Sequence, residues 1–326
     1  MRGGRLSGGW ADLGRTAGAG LVLVAVGLLI VLLFIVARQL TGFLFSEDRE
    51  DAVPGPVITV PPVIDPVFIP PVPSPGGSRP QQFPDAKNSG VPDGYPLKKL
   101  VPDTEFIVDR DIDGVEIAGM IVIGAPDVTI SNSRIWATTE LFGVWNREGF
   151  PGAAVKNVEI ICVDGPKIAA AGVAGVQRVE GSDISGCADG IKIGGGARIV
   201  GNYIHDLAQK PGLHNDGIQM QGGSDVLIAR NTIVTVDKGG STANAAVFIQ
   251  SESAPIDNVS IVGNFVDGFG FSLRLNGDRV TGSEIVDNVI GTRHLFGPTL
   301  LANGAEASRA NNREKGNIRP DGTPIE

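Results

Sequence analysis

The sequence predicts an all-β fold, a solenoid of stacked coils, which follows a membrane anchor and a proline-rich linker. Three observations lead to this organisation: an uncharged apolar run near the N-terminus, a cluster of prolines after it, and short β-branched runs that then recur at similar spacing. Aromatic residues make up only 6% of the chain, and 46 of its 326 residues are glycine. Such a composition favours many tight turns over a bundle of helices.

The N-terminal region predicts a single membrane-spanning helix. Residues 16–37 contain 22 residues without a charge, and about 20 apolar residues cross a bilayer as a helix. Basic residues outnumber acidic ones before this run: Arg2, Arg5 and Arg15 against Asp12. The following segment SEDREDA is acidic, so residues 1–15 are expected in the cytoplasm and the C-terminal part outside the plasma membrane. The alternative, a cleaved signal peptide, is disfavoured by the length of the run and by the lack of an A-x-A pattern after it.

Residues 38–84 are predicted to form an acidic and proline-rich extracellular linker. Thirteen prolines lie between residues 53 and 96, and such a segment forms neither a helix nor a central strand. An extended polyproline chain rises ~3.1 Å per residue, so this linker would hold the next domain away from the membrane. A generic disordered linker is the alternative, and in either case the segment carries no functional site.

Repeats of about 25 residues then dominate the sequence. Segments such as DGIKIGGG and DGIQMQGG, which begin at residues 189 and 216, align on their first inward apolar position. The predicted series of these positions is Ile121, Val144, Ile168, Ile191, Ile218, Val247, Leu273 and Thr299. One such unit cannot bury its apolar face alone, whereas stacked units share a continuous core. Residues 85–310 are therefore predicted to form about eight coils, followed by a polar tail at 311–326.

A second series runs in phase with the first and ends each short strand on an asparagine. Each of these asparagines follows an isoleucine by three residues, and the series reads Asn202, Asn231, Asn264 and Asn288. Side-chain amides at equivalent corners of a stack hydrogen-bond along it, and asparagine tolerates the backbone of a tight corner. We therefore expect an asparagine ladder along one corner of the solenoid.

A resemblance to a known family is carried by FPDAKNSGVPDGYPL, NYIHDL and HNDGIQMQGGSDVLIARNTI. These stretches and the repeats resemble the right-handed parallel β-helix repeat proteins of the pectate-lyase-like superfamily, in particular membrane-anchored surface proteins of high-GC Gram-positive bacteria. The resemblance covers roughly residues 85–310. It implies a right-handed parallel β-helix, but little about chemistry, because the superfamily includes lyases, hydrolases, epimerases and proteins without known activity.

Paired carboxylates are the main catalytic candidates. Asp189 and Asp216 each precede the inward position of their coil by two residues, and adjacent coils lie ~4.8 Å apart. Two carboxylates at such a distance suit acid–base chemistry on a glycosidic bond or the binding of calcium. His214 or Lys192 would then serve as the base. The alternative is that Asp-Gly is a turn, repeated because the coil repeats.

Outward positions of the same strands suggest a binding surface for a sugar chain. Amides bond hydroxyl groups, aromatic rings stack on sugar rings, and a cation such as Arg274 neutralises a uronate. Two long connections, DLAQKPGLHN and VDKGGSTANA, are expected to flank this face. The substrate-binding candidates are Trp145, Gln219, Gln221, Phe248, Gln250, Arg274 and Asn276. A structural amide ladder with solvated charges is the alternative interpretation.

Charge and cysteine content limit the other functions. The formal net charge of −9 argues against nucleic acid as a partner. Cys162 and Cys187 lie 25 residues apart, so a disulfide between neighbouring coils is permitted outside the membrane. The spacing of His205, His214 and Asp216 matches no compact metal-binding motif. No metal or other cofactor is therefore expected, calcium is left open, and the sequence indicates no oligomeric state.

Two functions remain open on the sequence alone. The first is a membrane-anchored, extracytoplasmic protein that binds, and in an enzymatic version processes, a cell-wall or extracellular polysaccharide as a lyase, hydrolase or epimerase. The second is a structural or adhesion rod without enzymatic activity. The sequence contains neither the arginine-and-aspartate pattern of pectate lyases nor the separated aspartates of polygalacturonase-like hydrolases. Whether the protein is an enzyme is therefore left undecided, with a slight preference for no catalysis.

Overall fold

The computed structural model describes residues 83–163, 168–210, 213, 215–235, 243–302 and 313–325. All regular secondary structure in these residues is β-strand. The predicted cytoplasmic segment 1–15, the predicted membrane helix 16–37 and linker residues 38–82 lie outside the described residues. No helix within the described ranges is long and apolar enough to span a membrane.

The strands form three parallel sheets, and the chain visits the three sheets in turn. The first sheet contains β1 (Lys98–Lys99), β4 (Val115–Ala118), β7 (Arg134–Ala137), β10 (Glu159–Cys162), β13 (Asp183–Ser185), β16 (Tyr203–His205), β19 (Thr232–Val234), β22 (Phe265–Asp267) and β26 (Val289–Ile290). The second sheet contains β2 (Glu105–Val108), β5 (Met120–Ile123), β8 (Phe142–Trp145), β11 (Ala171–Ala174), β14 (Asp189–Ile193), β17 (Asn215–Met220), β20 (Ala243–Gln250), β23 (Phe271–Asn276) and β27 (Gly297–Ala302). The third sheet contains β3 (Ile112–Asp113), β6 (Thr129–Ser131), β9 (Ala154–Lys156), β12 (Arg178–Glu180), β15 (Arg198–Val200), β18 (Gly223–Ala229), β21 (Ile256–Val262), β25 (Glu284–Val286) and β28 (Arg313–Lys315), and β24 (Val280–Thr281) pairs with β21.

The register of the second sheet follows the predicted apolar series with one exception. Ile191, Ile218, Val247 and Leu273 are successive partners, and Thr299 continues the row. The partner of both Val144 and Ile191 is Val173, so the predicted position Ile168 was wrong. A count by even spacing failed there because the coils differ in length: Val173 follows Val144 by 29 residues but precedes Ile191 by only 18. The all-β class with stacked parallel sheets is confirmed.

The core is a continuous stack of branched aliphatic side chains from all three sheets, among them Ile191, Ile199 and Ile204, each 0% exposed. β-branched residues suit such strands because their stiff side chains pack well on a pleated surface. Asparagines close one corner of this stack. The backbone N–H and the side-chain Nδ2 of Asn202 both donate to Oδ1 of Asn231 at 2.9 Å. Asn231 donates in the same way to Asn264, also at 2.9 Å.

The asparagine ladder continues beyond the predicted four members. Asn264 bonds Asn288, and Asn288 bonds Asn317, which is buried at the end of the stack. Nearby, β28 pairs with β25, and Ile318 bridges Val289. The repeats therefore extend past residue 310, where the sequence placed the start of a polar tail.

A disulfide joins two adjacent coils. Cys162 at the end of β10 is bonded to Cys187, which follows β13, and both residues are buried. Their sequence separation of 25 residues closes a loop whose entropic effect on the unfolded chain corresponds to about 3.5 kcal/mol. We therefore expect a reducing agent to lower the free energy of unfolding by about 3 kcal/mol, measured by urea denaturation.

The matched control for this prediction is the double variant Cys162→Ala/Cys187→Ala. It should unfold at a lower urea concentration than the oxidised protein and show no response to the reducing agent. Equal midpoints for the oxidised and the reduced wild-type protein would contradict the stabilising role of the disulfide.

Candidate functional site

One outward-facing row of the second sheet contains five of the predicted site residues. The register places one residue of each coil in this row, which we call the outward row. Its members are Ile107, Val122, Trp145, Ala174, Lys192, Gln219, Phe248, Arg274 and Leu300. The first four are apolar, whereas the centre carries a cation, an amide, an aromatic ring and a second cation. The row is therefore apolar in its first four coils and mostly polar or charged in the next four.

Asp189 and Asp216 lie at the edge of this row and belong to a closed hydrogen-bonded ring. The Lys192 ammonium group donates to Oδ2 of Asp189 and, at 2.5 Å, to Oε1 of Gln219. Nε2 of Gln219 donates to Oδ2 of Asp216 at 3.2 Å. The ring closes where the backbone N–H of Asp216 donates to Oδ1 of Asp189 at 2.8 Å. Lys192 thus bridges Asp189 and Gln219, which lie in adjacent coils.

Asp216 is a buried carboxyl group, with 0% of its surface exposed. Its Oδ1 accepts hydrogen bonds from Nδ2 of Asn244 at 2.9 Å and from the backbone N–H of Ala245 at 3.1 Å. Burial, together with the nearby charge of Asp189, raises the pKa of Asp216 to about 7 despite these bonds. The group is thus close to half-protonated at neutral pH, which is unusual for a carboxyl group.

Asn244 was missed by the sequence analysis and connects Asp216 to Arg274. Its Oδ1 accepts a hydrogen bond from Nη1 of Arg274 at 2.9 Å, while its Nδ2 bonds Asp216. The register shifts here: Asn215 pairs with Ala243 and Asp216 with Ala245, which leaves Asn244 as the extra residue of a β-bulge. A bulge re-aims a side chain at this kind of position. The longer step from Ile218 to Val247 was the only sequence signal for it.

Arg274 and Phe248 are neighbours in the outward row and form a stacked pair. The Cζ atom of Arg274 lies 4.7 Å from the centre of the Phe248 ring. Within the described ranges, no carboxylate oxygen lies within salt-bridge distance of Arg274. Its Nε atom is buried without a hydrogen-bond partner. The guanidinium group is thus positioned by a ring and an amide, and no carboxylate among the described residues pairs with it.

The remaining binding candidates are arranged less closely. Gln221 is exposed and donates to Oε2 of Glu252 at 2.9 Å. Gln250 is half-buried and pairs in register with Asn276, which is buried. Buried Asn276 fits the structural interpretation of this amide row better than ligand binding.

Trp145 shares the outward row but lies far from Arg274. Five steps of ~4.8 Å between strands separate the two residues, roughly 24 Å along the stack. The Cζ atom of Arg147 lies 4.5 Å from the centre of the Trp145 ring, and Arg147 also donates to Oε1 of Glu105 at 3.1 Å. Trp145 is therefore not part of the group formed by Asp216, Asn244, Phe248 and Arg274.

The two Asp-Gly pairs are part of strands and do not form turns. Both lie inside strands, β14 and β17, and neither Gly190 nor Gly217 has a positive φ. A Cβ atom on Gly190 would lie 2.4 Å from the carbonyl oxygen of Gly217, and one on Gly217 would lie 2.3 Å from Cγ2 of Ile233. The glycines are thus explained by close packing against the next coil and against the first sheet. Each aspartate accepts, at Oδ1, a hydrogen bond from a backbone N–H of the next coil.

The structure describes one of the two histidines considered for the acid–base site or a metal site. His214 lies outside the described residues. His205 lies on the first sheet, where its Nε2 and Nδ1 contact Asp183 and Asp206, each at 2.9 Å. Burial alone would lower the pKa of His205, but these two carboxylates raise it overall. No cluster of three or more His, Cys, Asp or Glu side chains in the described part of the chain is arranged to hold a metal ion.

Comparisons with known proteins add no assignment. The chain matches no protein-family model, no curated protein and no solved structure. Its function must therefore be inferred from the chemistry of the outward row.

Proposed function

We propose that this protein binds an acidic polysaccharide, rich in uronic acids, along the outward row of the second sheet. The observation that carries the proposal is Arg274, which is held by Phe248 and Asn244 and, in the described residues, has no carboxylate partner. A guanidinium group of this kind suits the carboxylate of a sugar acid, because its planar fork bonds two oxygens at once.

The rest of the row supports an extended ligand. Neighbouring strands lie ~4.8 Å apart, close to the length of one sugar unit in an extended chain, so successive sugars would meet successive coils. Gln219 is the neighbour of Phe248 in the outward row, and Lys192 is the neighbour of Gln219. Amides and ammonium groups bond sugar hydroxyls. Phe248 is only 6% exposed and lies under the Arg274 guanidinium group, so it supports Arg274.

Cleavage of the bound polysaccharide is the second candidate function. It is favoured by the pKa of about 7 for Asp216, since a general acid or base works best with a pKa near the operating pH. Against it, Asp216 is 0% exposed and Asp189 only 4% exposed, and the oxygens of both carboxylates already accept hydrogen bonds. Neither carboxylate is open to a substrate, so we favour binding without turnover.

The cellular context and the handedness belong to the same proposal. We infer that the stacked sheets form a right-handed parallel β-helix, since about 98% of parallel crossover connections are right-handed. Residues 16–37 would anchor it in the plasma membrane as an uncleaved signal-anchor, with the β-helix on the outer side. The sequence resemblance and the charge asymmetry around the apolar run support this placement.

The test is equilibrium binding of the full-length protein to a tetra-uronate and to a neutral tetrasaccharide. We expect the tetra-uronate to bind more tightly and Arg274→Met to weaken its binding by about tenfold or more, because a charge-assisted pair is lost. Arg110→Met is the matched control: its side chain is 82% exposed and paired with Asp109, and we expect no change.

Two results would contradict the proposed function. One is equal affinity of the wild-type protein for the acidic and the neutral sugar. The other is equal loss of affinity in Arg274→Met and Arg110→Met. Mass spectrometry of the sugars after incubation addresses cleavage: intact chains support binding alone, whereas shortened chains that vanish with Asp216→Asn would favour the enzymatic function.

A further inference from the structure

We propose that binding of an acidic sugar at Arg274 is linked to the uptake of a proton by Asp216, and that Asn244 is the positioning residue which couples the two. This inference rests on the proposed function and concerns the regulation of the same site. It predicts a receptor that holds acidic polysaccharide more tightly as the surroundings become more acidic.

The geometry gives the Asn244 amide a single orientation. Its NH₂ group faces Oδ1 of Asp216 at 2.9 Å, and its carbonyl oxygen faces Nη1 of Arg274 at 2.9 Å. A reversed amide would place oxygen against carboxylate oxygen and NH₂ against guanidinium NH₂, which loses both bonds. Asn244 therefore holds the Arg274 cation next to the buried carboxyl group.

Protonation of Asp216 changes the charge near Arg274 but leaves Arg274 in place. Neutral Asp216 still accepts at Oδ1, so the bonds from Asn244 and Ala245 persist. One negative charge near the guanidinium group is removed, and in a poorly solvated site this raises the attraction for an anion. By linkage, a bound anion must favour the protonated form of Asp216 to the same extent.

The other charged groups around Asp216 do not compensate for this change. In the described residues, the charges that act on Asp216 are Asp189 and Lys192 of β14, and Arg274 of β23 is joined to it through Asn244. Asp189 and Lys192 form an ion pair with each other. Among the described residues, Asp216 is therefore the group near Arg274 whose titration close to neutral pH changes the net charge.

The experiment measures the affinity of the full-length protein for a tetra-uronate between pH 5.5 and 8.5 at constant ionic strength. The carboxylates of the sugar stay ionised over this range, so changes in affinity report on the protein. We expect binding to tighten about five- to tenfold from the alkaline to the acidic end. Asp216→Asn, a mimic of the protonated form, should bind tightly at every pH.

Asn244→Ala tests the coupling itself. Without the amide, the guanidinium group is not held beside Asp216 and solvent screens their interaction, so the pH dependence should shrink to less than about twofold. His205→Gln is the control for a second titrating group on a different sheet, and it should keep the wild-type pH profile.

The outcomes separate the two proposals. A tetra-uronate that binds the wild-type protein with the same affinity at every pH would overturn the proton linkage and leave the proposed function standing. A profile unchanged in Asn244→Ala would overturn the role of Asn244 as the coupling residue. No tetra-uronate binding by either the wild-type protein or the folded Asp216→Asn variant at any pH would overturn both proposals.

Discussion

Replacing Asn231 by alanine is expected to lower the free energy of unfolding by about 4 kcal/mol. Four hydrogen bonds disappear: two that Asn231 Oδ1 accepts from Asn202, and two that Nδ2 donates to Asn264 and to the carbonyl oxygen of Ile199. The site is 0% exposed, so water cannot replace them. The backbone N–H of Asn202 is then left unsatisfied at a cost of about 1–3 kcal/mol.

Urea denaturation measures this effect, and Asn258→Gly is its control. Asn258 is an exposed asparagine of the third sheet. Among the described residues, its side chain bonds only Asp225. Glycine tolerates its positive φ of 55°, so this variant should lose less than about 1 kcal/mol. Similar losses in both variants would contradict the view that the asparagine ladder is a main source of stability.

Replacing Asp216 by asparagine is expected to stabilise the protein at neutral and alkaline pH. The pKa of Asp216 rises from 3.8 to about 7 on folding, so between these pH values the folded state binds the additional proton. Stability must then fall as the pH rises from about 4 to 7, by up to about 4 kcal/mol, and stay level above that range. Asparagine cannot ionise and avoids this cost, which is largest once Asp216 is fully ionised.

The difference in the free energy of unfolding between Asp216→Asn and the wild type separates the contribution of Asp216 from that of other titrating groups, such as His205. We expect the free energy of unfolding of Asp216→Asn to exceed that of the wild type by about 2 kcal/mol at pH 8. This is less than the effect of the whole pKa shift, because Gln219 must rearrange next to the new amide. At pH 4.5 the variant should show no advantage. A difference that stays constant across this range, measured by urea denaturation at each pH, would be incompatible with a raised pKa for Asp216.

The fold was readable from the sequence because its signals repeat. A position such as Ile191 has equivalents in neighbouring coils, and the asparagine ladder marks an equivalent corner of each coil. The prediction of Ile168 failed where the coils change length, since a period alone does not indicate which residues loop out. Val173 takes that place because it aligns with Val144 and Ile191 once the connection is formed.

The candidate site was only partly readable. Gln219, Phe248 and Arg274 follow from counting outward positions, and Asp216 from its place two residues before Ile218; in the structure these residues lie near one another. Asn244 was not predictable in this way, because a β-bulge breaks the alternation on which the count depends. The burial of both aspartates was hidden for a different reason: it depends on hydrogen bonds between coils that a single repeat does not contain.

A crystal structure of the protein with a bound oligo-uronate would show directly whether an acidic sugar binds at Arg274. We expect a sugar carboxylate on the Arg274 guanidinium group, the neighbouring sugar ring near Phe248, and a sugar chain that runs along the outward row of the second sheet. A ligand bound to the first sheet near His205, or bound on the second sheet without contact to Arg274, would contradict it.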